Sequence, residues 1–309
     1  MSAVHPTRPG PCPSPHPAGR SDLIRFPPGP TVGPAAPDGG ACAVARVTRL
    51  LRVLILLPPS ETKTTPGSGE PVDTGTLAFP ELTPAREQVL AELASASARA
   101  DALDVLGVGE RLRGEVERNT RLGAEPAAPA LHVYTGVLYD ALDPAGLTAA
   151  QREAAAASLV VVSALWGAVR PTDRIPAYRL SMGTELPRLG KLAAHWKRHL
   201  PAALGPAAED RLVVDCRSAA YAAAWRAPRE RTVGVKVVRE RGGTRTVVSH
   251  MAKHTRGLLA RHLVQRAADG EGLATPQDLL TAAGEHWRAE LREPTARSAG
   301  ELVLVLPGD

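Results

Sequence analysis

Arg170, Arg174 and Arg179 alternate with Trp166, Tyr178 and Met182 inside one proline-broken stretch, Ser163–Gly183 (SALWGAVRPTDRIPAYRLSMG). A guanidinium grips phosphate or carboxylate through a planar fork, and an aromatic face takes a cation or stacks on a base. The stretch therefore reads either as a loop that binds anions and bases, or as a connection whose aromatics cap a core beneath solvated arginines. Ser249–His262 (SHMAKHTRGLLARH) carries the next candidates. On a helix, Ala252, Arg256, Leu259 and Leu263 share one stripe, which sets the Arg256 charge on an apolar face beside Gly257. Left unpaired, that charge costs on the order of several kcal/mol, and the glycine about 1 kcal/mol relative to alanine. Two local rules broken side by side point to a guanidinium aimed inward and a backbone approached closely. The alternative is an Arg256 paired with a core acid such as Asp215 or Asp173. Lys253, about a turn earlier, faces nearly the same way.

Leu103–Asn119 (LDVLGVGERLRGEVERN) has the layout of a helix-hairpin-helix around the turn Gly107-Val108-Gly109. Glycines permit the tight turn, Val108 plugs the pair together, and free N–H groups at the second helix start suit a phosphate. Arg111 and Arg113 add charge there, whereas Glu110 suits the helix dipole and repels the phosphate. Short glycine turns between helices are also common without any nucleic acid. Lys63 follows the first strand, where open α/β sheets place ligands, and Asp215, Cys216 and Ser218 follow another strand at the same kind of edge. Tyr134 stands in the turn-rich YTGVLYD at 134–140, where core tyrosines are the commoner explanation. Cys216 has no base within sequence reach and is expected to be a buried structural thiol. His195–His199 and His250–His254 have one-turn spacing, but neither has the glutamate of an HExxH motif or a third ligand, so no metal is expected. GxxxxGK[ST], GxGxxG and GxSxG motifs are absent, which removes support for ordinary nucleotide hydrolases, dehydrogenases and α/β-hydrolases and implies no cofactor.

These residues must be held by a scaffold. Arg52–Leu57, Leu159–Ala164, Arg211–Cys216 and Glu301–Leu306 are continuous apolar runs of strands buried on both faces. Thr232–Arg239 and Thr244–His250 form a hairpin through paired glycines. Helices are predicted over Thr83–Ala98, Thr148–Ala157, Gly190–Leu204, Arg217–Arg226, Met251–Ala267 and near Pro276–Ala283. The fold class is mixed α/β, a mixed sheet with surrounding helices and a helical insertion at about 83–125. Residues 1–51 hold eleven prolines by position 37 and no periodic apolar pattern. They are expected to be either a disordered extension or a stretch upstream of the true start. The 309 residues are 44% hydrophobic and carry a net charge of +5, three units of it in the first 50 residues. Anion binding therefore has to come from local clustering. Three irregularly spaced cysteines give no disulfide framework, and no apolar run approaches a membrane span, so a cytoplasmic protein is expected.

Four blocks in order, VLILLPPSETK (53–63), YTGVLYDAL (134–142), SALWGAVRPTDRIPAYRLSMG (163–183) and AKHTRGLLARHL (252–263), resemble the peroxide stress protein YaaA family over essentially residues 52–309. The resemblance implies a cytoplasmic bacterial protein that limits free intracellular iron, with a helix-hairpin-helix, a positively charged cleft and attributed DNA binding. Carried over by motif, the cleft candidates are Lys63, Tyr134, Arg170, Arg179, Lys253 and Arg256, with Trp166 and Tyr178 as faces for unpaired bases. The family transfers no catalytic residues. The chain departs from its pattern where His254 replaces a second basic residue beside Lys253. Two functions stay open: a DNA-binding stress protein without strong sequence preference, or an enzyme for a small phosphorylated or nucleobase-like substrate in the same cleft.

Overall fold

Five consecutive buried residues, Val53–Leu57 (β1), form an interior strand of the sheet. The computed structural model describes residues 52–308, so the expectation for residues 1–51 lies outside the described residues. The other strands of this sheet are β2 (Leu159–Ser163), β3 (Gly167–Val169), β4 (Leu212–Asp215), β5 (Thr232–Arg241), β6 (Thr244–Val247), β7 (Arg288–Arg292) and β8 (Gly300–Pro307). Their order is β7-β8-β5-β4-β1-β2-β3, with β6 paired to β5. β1 runs parallel to both β2 and β4, in register Ile55 with Leu159 and Val53 with Leu212. β4 with β5 and β5 with β8 are parallel as well, while β3, β6 and β7 pair antiparallel at the margins. The expected mixed α/β sheet is what forms.

Among the described residues, ten α-helices accompany the sheet: α1 (Thr83–Ser97), α2 (Ala102–Leu106), α3 (Arg113–Arg118), α4 (Ala130–Val133), α5 (Val137–Leu142), α6 (Ala149–Ser158), α7 (Leu192–Ala208), α8 (Ala219–Ala222), α9 (Ser249–Ala268) and α10 (Pro276–Gly284). Thr148 and Thr275 start α6 and α10 with reciprocal capping boxes. The chain steps from β1 to β2 on one side and returns to β4 on the other. That reversal opens a crevice at the carboxyl ends of β1 and β4, where open α/β sheets seat ligands.

One expected element is shorter than its sequence predicts. The helix predicted over Arg217–Arg226 shrinks to α8, because buried Arg217 forks onto Asp215 (2.7 and 2.8 Å) and also donates to the carbonyls of Tyr221 and Trp225. The segment at 83–125 contributes Val89, Leu93, Leu106, Val116 and Leu122 to the same core as the sheet. Its helix-hairpin-helix is not confirmed: after left-handed Gly107 the chain makes a 3-10 turn, Glu110–Leu112, before the six-residue α3. The Glu110 carboxylate there is taken by Arg113.

Gly257 is explained by packing. A Cβ at this position would overlap the Leu138 carbonyl oxygen and lie 2.8 Å from the Ala141 side chain, so the glycine lets α9 cross α5 at close range. Gly257→Ala is expected to cost about 1–3 kcal/mol in urea unfolding despite the better helix propensity of alanine.

Candidate active site

The loop leaving β1 is pinned in place before it reaches its functional residue. Tyr139 donates its hydroxyl to the Pro58 carbonyl (2.8 Å), and Ser60 Oγ accepts the Thr135 amide (3.0 Å). Thr64 N donates to Val133 O (2.9 Å), and Lys63 forms an isolated β-bridge with Tyr134. Two candidates from separate sequence blocks are thereby paired through their backbones.

Lys63 Nζ lies 4.2 Å from the Tyr178 ring centroid and 5.7 Å from that of Tyr134, and it donates to the carbonyls of Ser60 (2.8 Å) and Glu61 (3.4 Å). Burial of the amine lowers its pKa to about 7; Arg179 pushes the same way, against Glu61 and Glu115. An ammonium between ring faces and carbonyls lacks the water shell it has in the unfolded chain, which is why its neutral form gains.

The hydroxyls beside it form a chain. Ser163 Oγ accepts the Leu165 and Trp166 amides (3.2 and 3.0 Å), which fills both lone pairs and sends its proton to Tyr178 Oη at 2.7 Å. Tyr178 Oη and Tyr134 Oη lie 3.1 Å apart, and either can donate to the other. With three hydroxyl protons and two contacts, one of the two phenolic protons is left without an acceptor among the described residues. Burial pushes the Tyr134 phenol up to about 12 and that of Tyr178 well above its ordinary value, so both remain protonated at neutral pH.

Arg179 supplies positive charge. Its backbone is fixed by buried Asn119, which accepts from Arg179 N (2.9 Å) and donates to Arg179 O (2.8 Å). Its guanidinium donates to the Glu61 carbonyl (3.1 Å) and stands 3.5 Å from the Glu61 carboxylate and 3.8 Å from that of Glu115, looser than a tight ion pair. Glu61, Arg179, Leu180 and Ser181 face Leu106, Gly107 and Val108 across a cavity of about 190 Å³. The glycine turn expected to hold DNA phosphate thus roofs a small cavity, with Arg111 exposed beside it. A larger cavity of about 580 Å³ lies at the amino ends of β1 and β4, lined by Arg52, Glu209, Asp210 and Arg211 among others, away from these groups.

Lys63, Tyr134, Tyr178 and Arg179 are therefore brought together, with the Gly107–Val108 turn beside them. The other expected residues are placed elsewhere. Trp166 is 0% exposed with its ring edge on Tyr178, itself 2% exposed, so neither face is open to an unpaired base. Arg170 donates to Ala157 O (3.1 Å) and Leu159 O (3.3 Å) at the carboxyl end of α6, where burial lowers its pKa to about 10. Arg256 donates to Val235 O of β5 (2.7 and 3.2 Å) rather than to Asp215 or Asp173. Lys253 is exposed on α9. Cys216 is buried, and burial pushes its thiol up to about 12, as a structural cysteine requires.

Ser163, Asn119 and Glu61 were not marked by the sequence, because their roles are set by partners distant in the chain. Spacing also missed His262, Glu285 and His286, whose ligand atoms lie within 4.8 Å of one another. The Glu285 carboxylate there is already paired with Arg266, so the trio has a competing cation in place. His195 is buried beside His199, and burial lowers its pKa to about 4. No helix among the described residues is long and apolar enough to cross a membrane.

Comparison with known proteins places this site in a family. The profile described as peroxide stress protein YaaA matches residues 53–290. A UPF0246 protein of Streptomyces coelicolor is 51% identical over 258 residues, 82% of this chain and 98% of that protein. A UPF0246 protein of Corynebacterium glutamicum is 44% identical over 236 residues, 75% of this chain and 93% of its own length. One from Ruegeria pomeroyi is 33% identical over 181 residues, 56% of this chain and 69% of that one. Lys63, Tyr134, Tyr178 and Arg179 all fall inside the matched profile, and the chain belongs to the peroxide stress protein YaaA (UPF0246) family.

Proposed function

We propose that this peroxide stress protein works in the bacterial cytoplasm as an enzyme on a small anionic substrate, held where Lys63, Tyr134, Tyr178 and Arg179 meet. The observation that carries this reading is an amine with pKa near 7 packed on two tyrosine rings, beside a loosely paired arginine. A neutral amine is a base and a nucleophile, and such perturbed groups cluster at functional sites. The cavity of about 190 Å³ bordered by Glu61 and Arg179 is below the roughly 300–1,000 Å³ of drug-sized ligand pockets, which favours a compact metabolite. In this reading any lowering of free iron is a downstream effect of that chemistry.

One observation favours the DNA reading, the glycine turn with exposed Arg111 beside it. Against it stand the Glu110–Arg113 pair and the burial of Trp166 and Tyr178. Thermal unfolding of the full chain with phosphate, pyrophosphate, small carboxylates and nucleotides separates the two. At least one small anion is expected to raise the wild-type midpoint and to leave Arg179→Met unmoved. DNA binding that falls steeply with salt, with no anion effect, would transfer the assignment to nucleic acid.

A further inference from the structure

We propose that Lys63 forms an imine with a small aldehyde or 2-oxo acid, with Arg179 holding the substrate's anionic group and the Tyr134 hydroxyl donating to its carbonyl oxygen. This rests on the small-substrate reading above and names its chemistry. Three observations support it. The chain uses arginine almost throughout, since five of its 37 lysine-plus-arginine side chains are lysine, yet a lysine stands here. A guanidinium supplies charge but not an amine nucleophile, so arginine cannot replace this function. The hydroxyl chain Ser163–Tyr178–Tyr134 leaves one phenolic proton without an acceptor among the described residues, on rings whose centroids lie 4.2 Å (Tyr178) and 5.7 Å (Tyr134) from the amine. The third is the loosely paired Arg179, which borders the cavity together with Ser181.

The step balances without a further reagent. The Lys63 nitrogen lone pair attacks the carbonyl carbon, a C–N bond forms, and the C=O π pair moves to oxygen. That oxygen takes a proton from Tyr134, and the nitrogen returns one to the tyrosinate. In the resulting carbinolamine the nitrogen lone pair closes C=N while the hydroxyl leaves with a second proton relayed by Tyr134. The products are the imine and one water, both hydrogens of the neutral amine having been lost, and Tyr134 is restored. Ring faces around the nitrogen limit water at the imine, as covalent amine catalysis requires.

The test incubates the full chain with glyoxylate or pyruvate and sodium cyanoborohydride at pH 7, then locates adducts by peptide mass spectrometry. Reduction of the imine leaves a stable alkylated lysine, and only five lysines compete. Lys63 is expected to be modified at least about tenfold faster than Lys191, Lys197, Lys236 or Lys253. Arg179→Met is expected to remove the advantage for these anions but not for formaldehyde, which has no charge to bind. Tyr134→Phe, checked for folding by its unfolding transition, is expected to slow Lys63 labelling by roughly tenfold or more. Labelling of Lys63 no faster than of the other four lysines overturns the proposal. If the anions still stabilise the wild type and not Arg179→Met, the small-substrate reading survives that failure. If neither effect occurs, both readings fall.

Discussion

Replacing Lys63 by methionine is expected to make the protein more stable below pH 7 while removing its chemistry. The amine has a pKa of about 7 in the folded chain against 10.5 for an ordinary lysine. Between those values the unfolded chain binds a proton that the folded chain does not, so the wild type gains stability as pH rises from about 7 to about 10.5. Below about pH 7 both states are protonated and the full cost of burying the ammonium applies, on the order of 4 kcal/mol. Methionine keeps the apolar stem and carries no charge. Urea midpoints for Lys63→Met should therefore lie above wild type at pH 6 and converge with it toward pH 10, and the variant should lose glyoxylate trapping at position 63. Wild-type stability that is flat across this window would show that the amine is not perturbed. A residue that weakens the fold while it equips a site is the pattern expected of function rather than packing.

Arg86→Leu carries the largest expected effect on the fold itself. Arg86 is 0% exposed, and its guanidinium donates to the carbonyls of Ala78 (2.6 Å), Ala168 (2.8 Å) and Trp166 (3.0 Å). It ties α1 to the β2–β3 turn, whose Trp166 ring lies against Tyr178. Leucine fills part of the volume but takes a donor from the Ala78, Ala168 and Trp166 carbonyls, of which Trp166 O keeps the Ala168 amide (2.9 Å), and each acceptor left without a donor costs about 1–3 kcal/mol. Removing the charge recovers some desolvation, reflected in a pKa lowered by burial to about 10. The net loss is expected at about 3–5 kcal/mol in urea unfolding. Arg86→Lys should recover only part of it, since one ammonium cannot span three carbonyls. A loss below about 1 kcal/mol would mean that water replaces the guanidinium.

The sheet was legible where strands are buried on both faces. VLILL, LVVVS and LVVD contain little but apolar residues, because β1, β2 and β4 are interior. Edge strand β7 (RAELR) was not legible, since its charged residues alternate on an exposed margin and pair with Glu240 and Glu301 of other strands. The site was readable in part. Lys63 was found from its place after a strand, and Tyr134 and Arg179 from their blocks. Arg170 and Arg256 were assigned to the cleft because residue type marks a guanidinium as anion-binding. Their actual partners are carbonyls at Ala157, Leu159 and Val235, which no local spacing indicates. Trp166 is a related case: an aromatic in a loop looks available in the sequence, whereas the fold buries it against Tyr178. Gly257 was correctly marked as a close approach, but the approaching group is helix α5 rather than a ligand.

At pH 7 the Lys63 amine is expected to be about half neutral, and site-resolved titration of the five lysines reads this out. Competitive acetylation of the full chain from pH 5 to 11, read by peptide mass spectrometry, gives each lysine its own curve. Half-maximal reactivity is expected near pH 7 for Lys63, against the 10.5 of an ordinary lysine. A Lys63 curve centred near 10.5 would refute the perturbed amine, and the imine with it.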